Sequence, residues 1–86
     1  MVDTMTRKDL EKTLTDALNW VTGLEKNRFA PKTRLKEYLE LDSLDLLELE
    51  MKIEEKFGFV IKDEDLFNFK TVGDIYKYLE KRSDVL

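Results

Sequence analysis

Only four of the 86 residues are glycine or proline, at Gly23, Pro31, Gly58 and Gly73, and they leave long runs along which a helix can propagate. Glycine weakens a helix through backbone entropy and proline through its missing N–H, so breaks are predicted near these positions and rarely elsewhere. Charged residues make up 40% of the chain and apolar residues 42%. The runs therefore read as solvated helices around one modest core, and the predicted fold class is all-α. The length suits a single domain, without a core large enough to enclose a catalytic cavity.

The first helix is predicted from about Arg7 to Leu24. Thr6 followed by Asp9 is a capping signal, and Leu10, Leu14, Ala17, Leu18 and Val21 recur at spacings of three and four on one face. Trp20 lies off that stripe and is expected to cover the rim of the core. From Gly23 to Leu41 periodicity weakens. Gly23, Asn27, Pro31 and the cations Lys26, Arg28, Lys32 and Arg34 suggest a long ordered loop, pinned to the core by Phe29, Leu35, Tyr38 and Leu39. Loops of that length are uncommon in small domains unless they serve a function. A second helix is predicted from Asp42-Ser43 to Gly58, a short helical turn from about Glu64 to Asn68, and a last helix from Thr71 to about Arg82. The inner face of that last helix is Val72, Ile75, Tyr76 and Leu79.

Composition narrows the chemistry. The chain has neither cysteine nor histidine, so it lacks the commonest general base, the commonest zinc ligand and any thiol of its own. An enzyme is not expected, and no metal site is expected. No stretch approaches the length of a membrane span, and the first residues lack the apolar middle of a signal peptide or the Arg-rich character of a transit peptide. A cytoplasmic chain is expected. Charge is uneven: residues 1–38 carry +2, residues 39–69 carry −7 and residues 70–86 carry +1. An acidic middle repels phosphate backbones and attracts basic protein surfaces, so nucleic acid is not an expected partner.

The second helix has two apolar rows. Leu46, Leu49, Ile53 and Phe57 form one. Leu44, Leu47 and Met51 form another, offset by two residues or about 200° around the helix. One row can face the core, and the other must find a neighbouring segment, a ligand or a partner. Acids flank it at Asp42, Asp45, Glu48, Glu54 and Glu55, and with Glu50, Lys52 and Lys56 the span 42–56 carries −4. Two readings stay open on pattern alone: a docking face for a basic surface, or a row packed under the 23–41 loop beside acids that keep the helix soluble. Ser43 is equally ambiguous. A serine at a helix start is usually a cap, and nothing in the composition would activate it as a nucleophile.

The run Leu39-Glu40-Leu41-Asp42-Ser43-Leu44-Asp45, followed by Leu47-Glu48-Leu49, Met51, Glu54-Glu55, Phe57 and Ile61, and then by Lys70-Thr71-Val72-Gly73-Asp74-Ile75, resembles the acyl carrier proteins of bacterial type II fatty-acid synthesis. The resemblance runs from about Leu39 to Leu79, and the first helix agrees in pattern. It implies a four-helix bundle with a short third helix and a long loop between helices 1 and 2. Residues 1–86 would form one acyl carrier domain, with 1–6 a flexible extension and 83–86 a frayed end, and the chain would act as a monomer. The resemblance further implies that Ser43 receives phosphopantetheine from coenzyme A, through a separate magnesium-dependent phosphopantetheinyl transferase. The arm would carry an acyl group as a thioester, supplying the thiol that this chain lacks.

Carried over by position, Asp42 would orient the transferase. Leu44, Leu47 and Met51 would be apolar contacts for partner enzymes that load, elongate or transfer acyl groups, and Asp45, Glu48, Glu54 and Glu55 would meet their cations. Leu49, Ile53, Phe57 and Ile61 would line an acyl pocket. The chain departs from the family pattern where Glu40 and Leu41 replace small residues, at Lys52, at Lys62 where proline is common, and in the aromatic pair Phe67 and Phe69. These departures fit a specialised acyl or polyketide pathway as readily as fatty-acid synthesis. The glycine-rich context of a peptidyl carrier is missing. A helical adaptor that binds proteins through the acidic-apolar face without a prosthetic group is the competing expectation.

Overall fold

The capping signal at Thr6 is realised. In the computed structural model, which describes residues 6–58 and 60–82, the Asp9 N–H donates to Thr6 Oγ1 at 3.1 Å and the Thr6 N–H donates to the Asp9 carboxylate at 3.3 Å. This box starts α1, Arg7–Thr22, and Gly23 ends it at φ 77°, a left-handed conformation that costs glycine nothing. Leu10, Leu14, Ala17 and Leu18 are buried and Val21 packs at the edge of the core. Of the ends expected to be an extension and a frayed terminus, residues 1–5 and 83–86 lie outside the described residues, and Thr6 belongs to the helix cap.

The segment from Gly23 to Leu41 is ordered, as its length and composition suggest, but its anchors differ from expectation. Phe29, Leu35, Leu39 and also Leu41 are buried, whereas Tyr38 is 54% exposed. The Tyr38 ring turns outward because Arg28 lies over it at 5.9 Å and its guanidinium donates to the phenol oxygen. A short 3₁₀ turn, Lys26–Arg28, opens the segment. The rest is clasped onto the start of the last helix by three backbone bonds: Leu35 N–H to Lys70 O, Val72 N–H to Thr33 O and Gly73 N–H to Pro31 O, at 2.9, 3.0 and 2.9 Å. The approach at Gly73 is close enough that a Cβ there would stand 2.9 Å from the Pro31 carbonyl oxygen.

Helix α2, Ser43–Phe57, ends at Gly58 with φ 80°. Helix α3 is a single turn, Asp63–Leu66, earlier and shorter than the predicted 64–68. Lys62 precedes it, and three consecutive acids fill its first turn, where the free amides favour negative charge. Helix α4, Val72–Arg82, also starts at a reciprocal cap, in which Asp74 accepts from the Lys70 and Thr71 N–H groups while its own N–H donates to Thr71 Oγ1. Val72, Ile75 and Leu79 are buried and Tyr76 lies at the core margin.

Helix α1 packs against both α2 and α4, so the core is formed where the three long helices meet. The Phe69 ring contacts Tyr78 edge-on at 5.3 Å and closes one end. Burying each leucine of this set contributes about 1.5–3 kcal/mol. These contacts fix the orientation of α2, and with it which of its two apolar rows faces outward. Four α-helices, the 3₁₀ turn and one isolated bridge between Arg34 and Thr71 are the regular elements among the described residues.

Candidate functional site

The start of α2 shows which residue caps it. Asp42 is the N-cap: its carboxylate accepts from the Asp45 N–H at 2.9 Å, and the Asp45 carboxylate accepts from the Asp42 N–H at 3.1 Å. Ser43 follows as the first helical residue, exposed, and its hydroxyl has no hydrogen-bond partner among the described residues. The capping role therefore falls to the aspartates, and the serine oxygen is left facing solvent. The N–H groups of Ser43 and Leu44 are also without intrachain acceptors among the described residues, as expected for the first turn of a helix.

This arrangement fits a phosphate ester on Ser43 Oγ. The oxygen is accessible, two free amides point out of the helix end, and the positive end of a 15-residue helix favours negative charge there. The carboxylates of Asp42 and Asp45 oppose it, but each accepts from a backbone N–H of the box, and the Ser43 and Leu44 amides have no acceptor among the described residues.

Of the two apolar rows, Leu46, Leu49 and Ile53 are at most 1% exposed and Phe57 packs at the edge of the core. The other row is bare: Leu44 is 65% exposed, Leu47 37% and Met51 68%. The alternative in which this row packs under the 23–41 loop is thereby overturned, because that loop is clasped to α4. Such an exposed row beside Ser43 is the kind of apolar strip that marks an interaction site.

The acids do not all serve this face. Glu48 and Glu55 are exposed beside the row. Glu54 is half-buried, and its carboxylate accepts from the Ile61 N–H at 2.9 Å, tying the chain after Gly58 back onto α2. Asp45 is held in the capping box. Glu50 lies toward the far side, where partial burial, with Glu54 and Asp63 nearby, raises its pKa above the ordinary glutamate value. Sequence spacing gave no warning of the Glu54 bond, since its partner is a backbone group seven residues on, beyond a glycine turn.

Trp20 is corrected from its expected place at the core rim. It is 59% exposed, and Lys52 lies over its ring with Nζ 4.2 Å from the centroid. The four residues expected to line an acyl pocket are gathered inside: Leu49, Ile53 and Ile61 are fully buried beside the half-buried Phe57. A separate cleft of about 180 Å³ opens between α1, α4 and the loop, with Leu14, Phe29, Val72 and Tyr76 among its walls. Among the described residues no cluster of three or more carboxylates could hold a metal ion, and no helix is long and apolar enough to cross a membrane.

Comparison with known proteins agrees with the geometry. Residues 12–79 match the family described as phosphopantetheine attachment site. The chain is 34% identical over 76 residues to the meromycolate extension acyl carrier protein of Mycolicibacterium smegmatis, covering 88% of this chain and 77% of that one. It is 47% identical over 72 residues to the acyl carrier protein of Phytoplasma australiense, covering 84% and 93%. A solved structure described as an acyl carrier protein from Mycobacterium tuberculosis superposes with a TM-score of 0.78 at 26% identity, covering 85% of this chain and 97% of that one.

Proposed function

The chain belongs to the phosphopantetheine-attachment family, as an acyl carrier protein of fatty-acid or related acyl metabolism, and from that premise we propose that Ser43 Oγ is the atom to which the phosphopantetheine arm is joined. The observation that carries this assignment is the division of labour at the start of α2. Asp42 and Asp45 cap the helix, so the Ser43 hydroxyl is exposed and free. The bound arm supplies a terminal thiol that holds the acyl group as a thioester, a chemistry absent from a chain without cysteine.

The residues around Ser43 have separable roles in this reading. Asp42 fixes the helix start and presents a carboxylate beside the serine for the magnesium-dependent transferase to engage. The Ser43 and Leu44 N–H groups offer hydrogen bonds to the ester phosphate. Leu44, Leu47 and Met51 form the apolar contact for partner enzymes, and Glu48 and Glu55 meet their arginines and lysines. Asp45 and Glu54 support the face mainly by holding its backbone. Leu49, Ile53, Phe57 and Ile61 are the side chains that an acyl group entering the bundle would displace or line.

The chain is read as the substrate of the transferase and the vehicle of its partners, without a catalytic site of its own. Residues 1–86 act as one monomeric carrier domain, and the cytoplasm is the compartment of the reaction. Binding through exposed charges is fast, salt-sensitive and weak, which suits a carrier that must leave each enzyme it visits. Incubation with coenzyme A and a promiscuous phosphopantetheinyl transferase should add one phosphopantetheine to the wild-type chain and none to Ser43→Ala. A folded chain that stays unmodified with several transferases would overturn the assignment and favour the adaptor reading.

A further inference from the structure

Between α1 and α2 runs a groove of about 570 Å³ lined by Trp20, Glu48, Met51, Lys52, Glu54 and Glu55. We propose that the docking face of this carrier extends off α2 onto α1 through this groove, with Trp20 as its anchor, and that it receives an apolar side chain flanked by an arginine from a partner enzyme. The inference rests on the reading of α2 as the docking face.

Three observations support it. Trp20 and Met51 are 59% and 68% exposed and both line the groove, and Met51 is also the last member of the exposed row that begins with Leu44 and Leu47. A tryptophan in that position is the residue type most often found to dominate binding energy. Second, the ring is already held. Lys52 lies over one face of it, and the Lys52 side chain is only 26% exposed although it is charged. A cation stacked on one face fixes the ring and leaves the other for a partner, which lowers the ordering cost of binding.

Third, the rim is acidic. Lys52 is shared between the ring and Glu55 at 3.6 Å, and Glu54 is bound to Ile61 N–H. Glu48 is exposed and has no ion-pair partner among the described residues. A planar guanidinium fits a free carboxylate in two-point contact, so an arginine beside an apolar side chain complements the groove, whereas an acidic segment is repelled.

The transferase is a suitable probe. Met51 stands eight residues beyond Ser43, about 12 Å along the helix. That lies inside a standard protein footprint of about 800 Å² per partner, so an enzyme seated over Ser43 and along α2 reaches the groove. Trp20 is the sole tryptophan of the chain, so 5-fluorotryptophan labelling gives one ¹⁹F resonance from this site.

The expected result is a saturable shift or broadening of that resonance on addition of unlabelled transferase, reversed by salt. In steady-state transfer from coenzyme A, Trp20→Ala should raise the KM for the carrier about tenfold at unchanged kcat, and Trp20→Phe should restore most of it. A chain modified with wild-type KM in Trp20→Ala, with a static resonance, overturns the groove and leaves the Ser43 assignment standing. A resonance that responds while Ser43 stays unmodified keeps the groove and removes the tether. A resonance and a serine that both stay unchanged overturn both.

Discussion

If Asp42 and not Ser43 is the N-cap of α2, the two neighbours should respond unequally to truncation. Asp42→Ala removes the carboxylate that accepts from the Asp45 N–H at 2.9 Å and leaves that amide without its partner. Loss of such a cap costs about 1–2 kcal/mol, and in a domain of this size each kcal/mol lowers Tm by about 4–8 °C. Asp42→Asn keeps an acceptor in the same place and should lose only a few tenths of a kcal/mol, the part due to charge at the helix end. Ser43→Ala removes a hydroxyl with no partner and places a better helix former at the first helical position, so its stability should stay within about 0.5 kcal/mol of wild type. Urea titration of the unmodified chain followed by circular dichroism measures all three. A Ser43→Ala loss as large as that of Asp42→Ala would refute the reasoning, because the serine would then hold the helix and would not be free for attachment.

Three further outcomes follow from particular residues. Glu40 sits at φ 57°, a conformation costing a side chain about 1–2 kcal/mol, part of which is offset by the greater unfolded-state entropy of glycine. Glu40→Gly should therefore stabilise the chain by about 0.5–1 kcal/mol, read as a rise in the urea midpoint at constant slope. Gly73→Ala should destabilise by about 1–3 kcal/mol in the same titration, because its Cβ would press on the Pro31 carbonyl and strain the clasp between loop and α4. Asp74 is held below the ordinary aspartate pKa by the N–H groups of Lys70 and Thr71, and Asp16 by Lys26 and Lys12. Their folded pKa values lie below the unfolded 3.8, so the stability they contribute is present above that pH and lost as pH falls through the folded values. The acid-induced fall in Tm should be smaller in Asp74→Asn than in wild type.

Much of this fold is legible in the residues. The capping pair at Thr6, the cap-forming residues Asp42 and Ser43, the glycines at 23 and 58, and the spacing of Leu10, Leu14 and Leu18 locate α1 and α2 because these signals are local. The family resemblance, carried by residues 39–79, gives the short α3 and the arm. What the sequence hides is non-local. Whether Leu44, Leu47 and Met51 are covered depends on where the 23–41 loop lands, and that is decided by its bonds to residues 70–73. Tyr38 reads as a core anchor and Trp20 as a cover for the core rim, yet Arg28 and Lys52 hold them at the surface, in one case across a gap of 32 positions in the chain. Glu54 reads as a surface acid, but Ile61 claims its carboxylate. The left-handed turn at Glu40 is invisible because the residue there is not the glycine that such a turn favours.

The central claim concerns one oxygen atom, and the chain offers only two serines, Ser43 and Ser83. Fragmentation mass spectrometry of the chain after transfer from coenzyme A would place the added group directly. The account predicts a single phosphopantetheine on the peptide that contains Ser43, lost in Ser43→Ala. A group found on Ser83, or an addition that persists in Ser43→Ala, would contradict it.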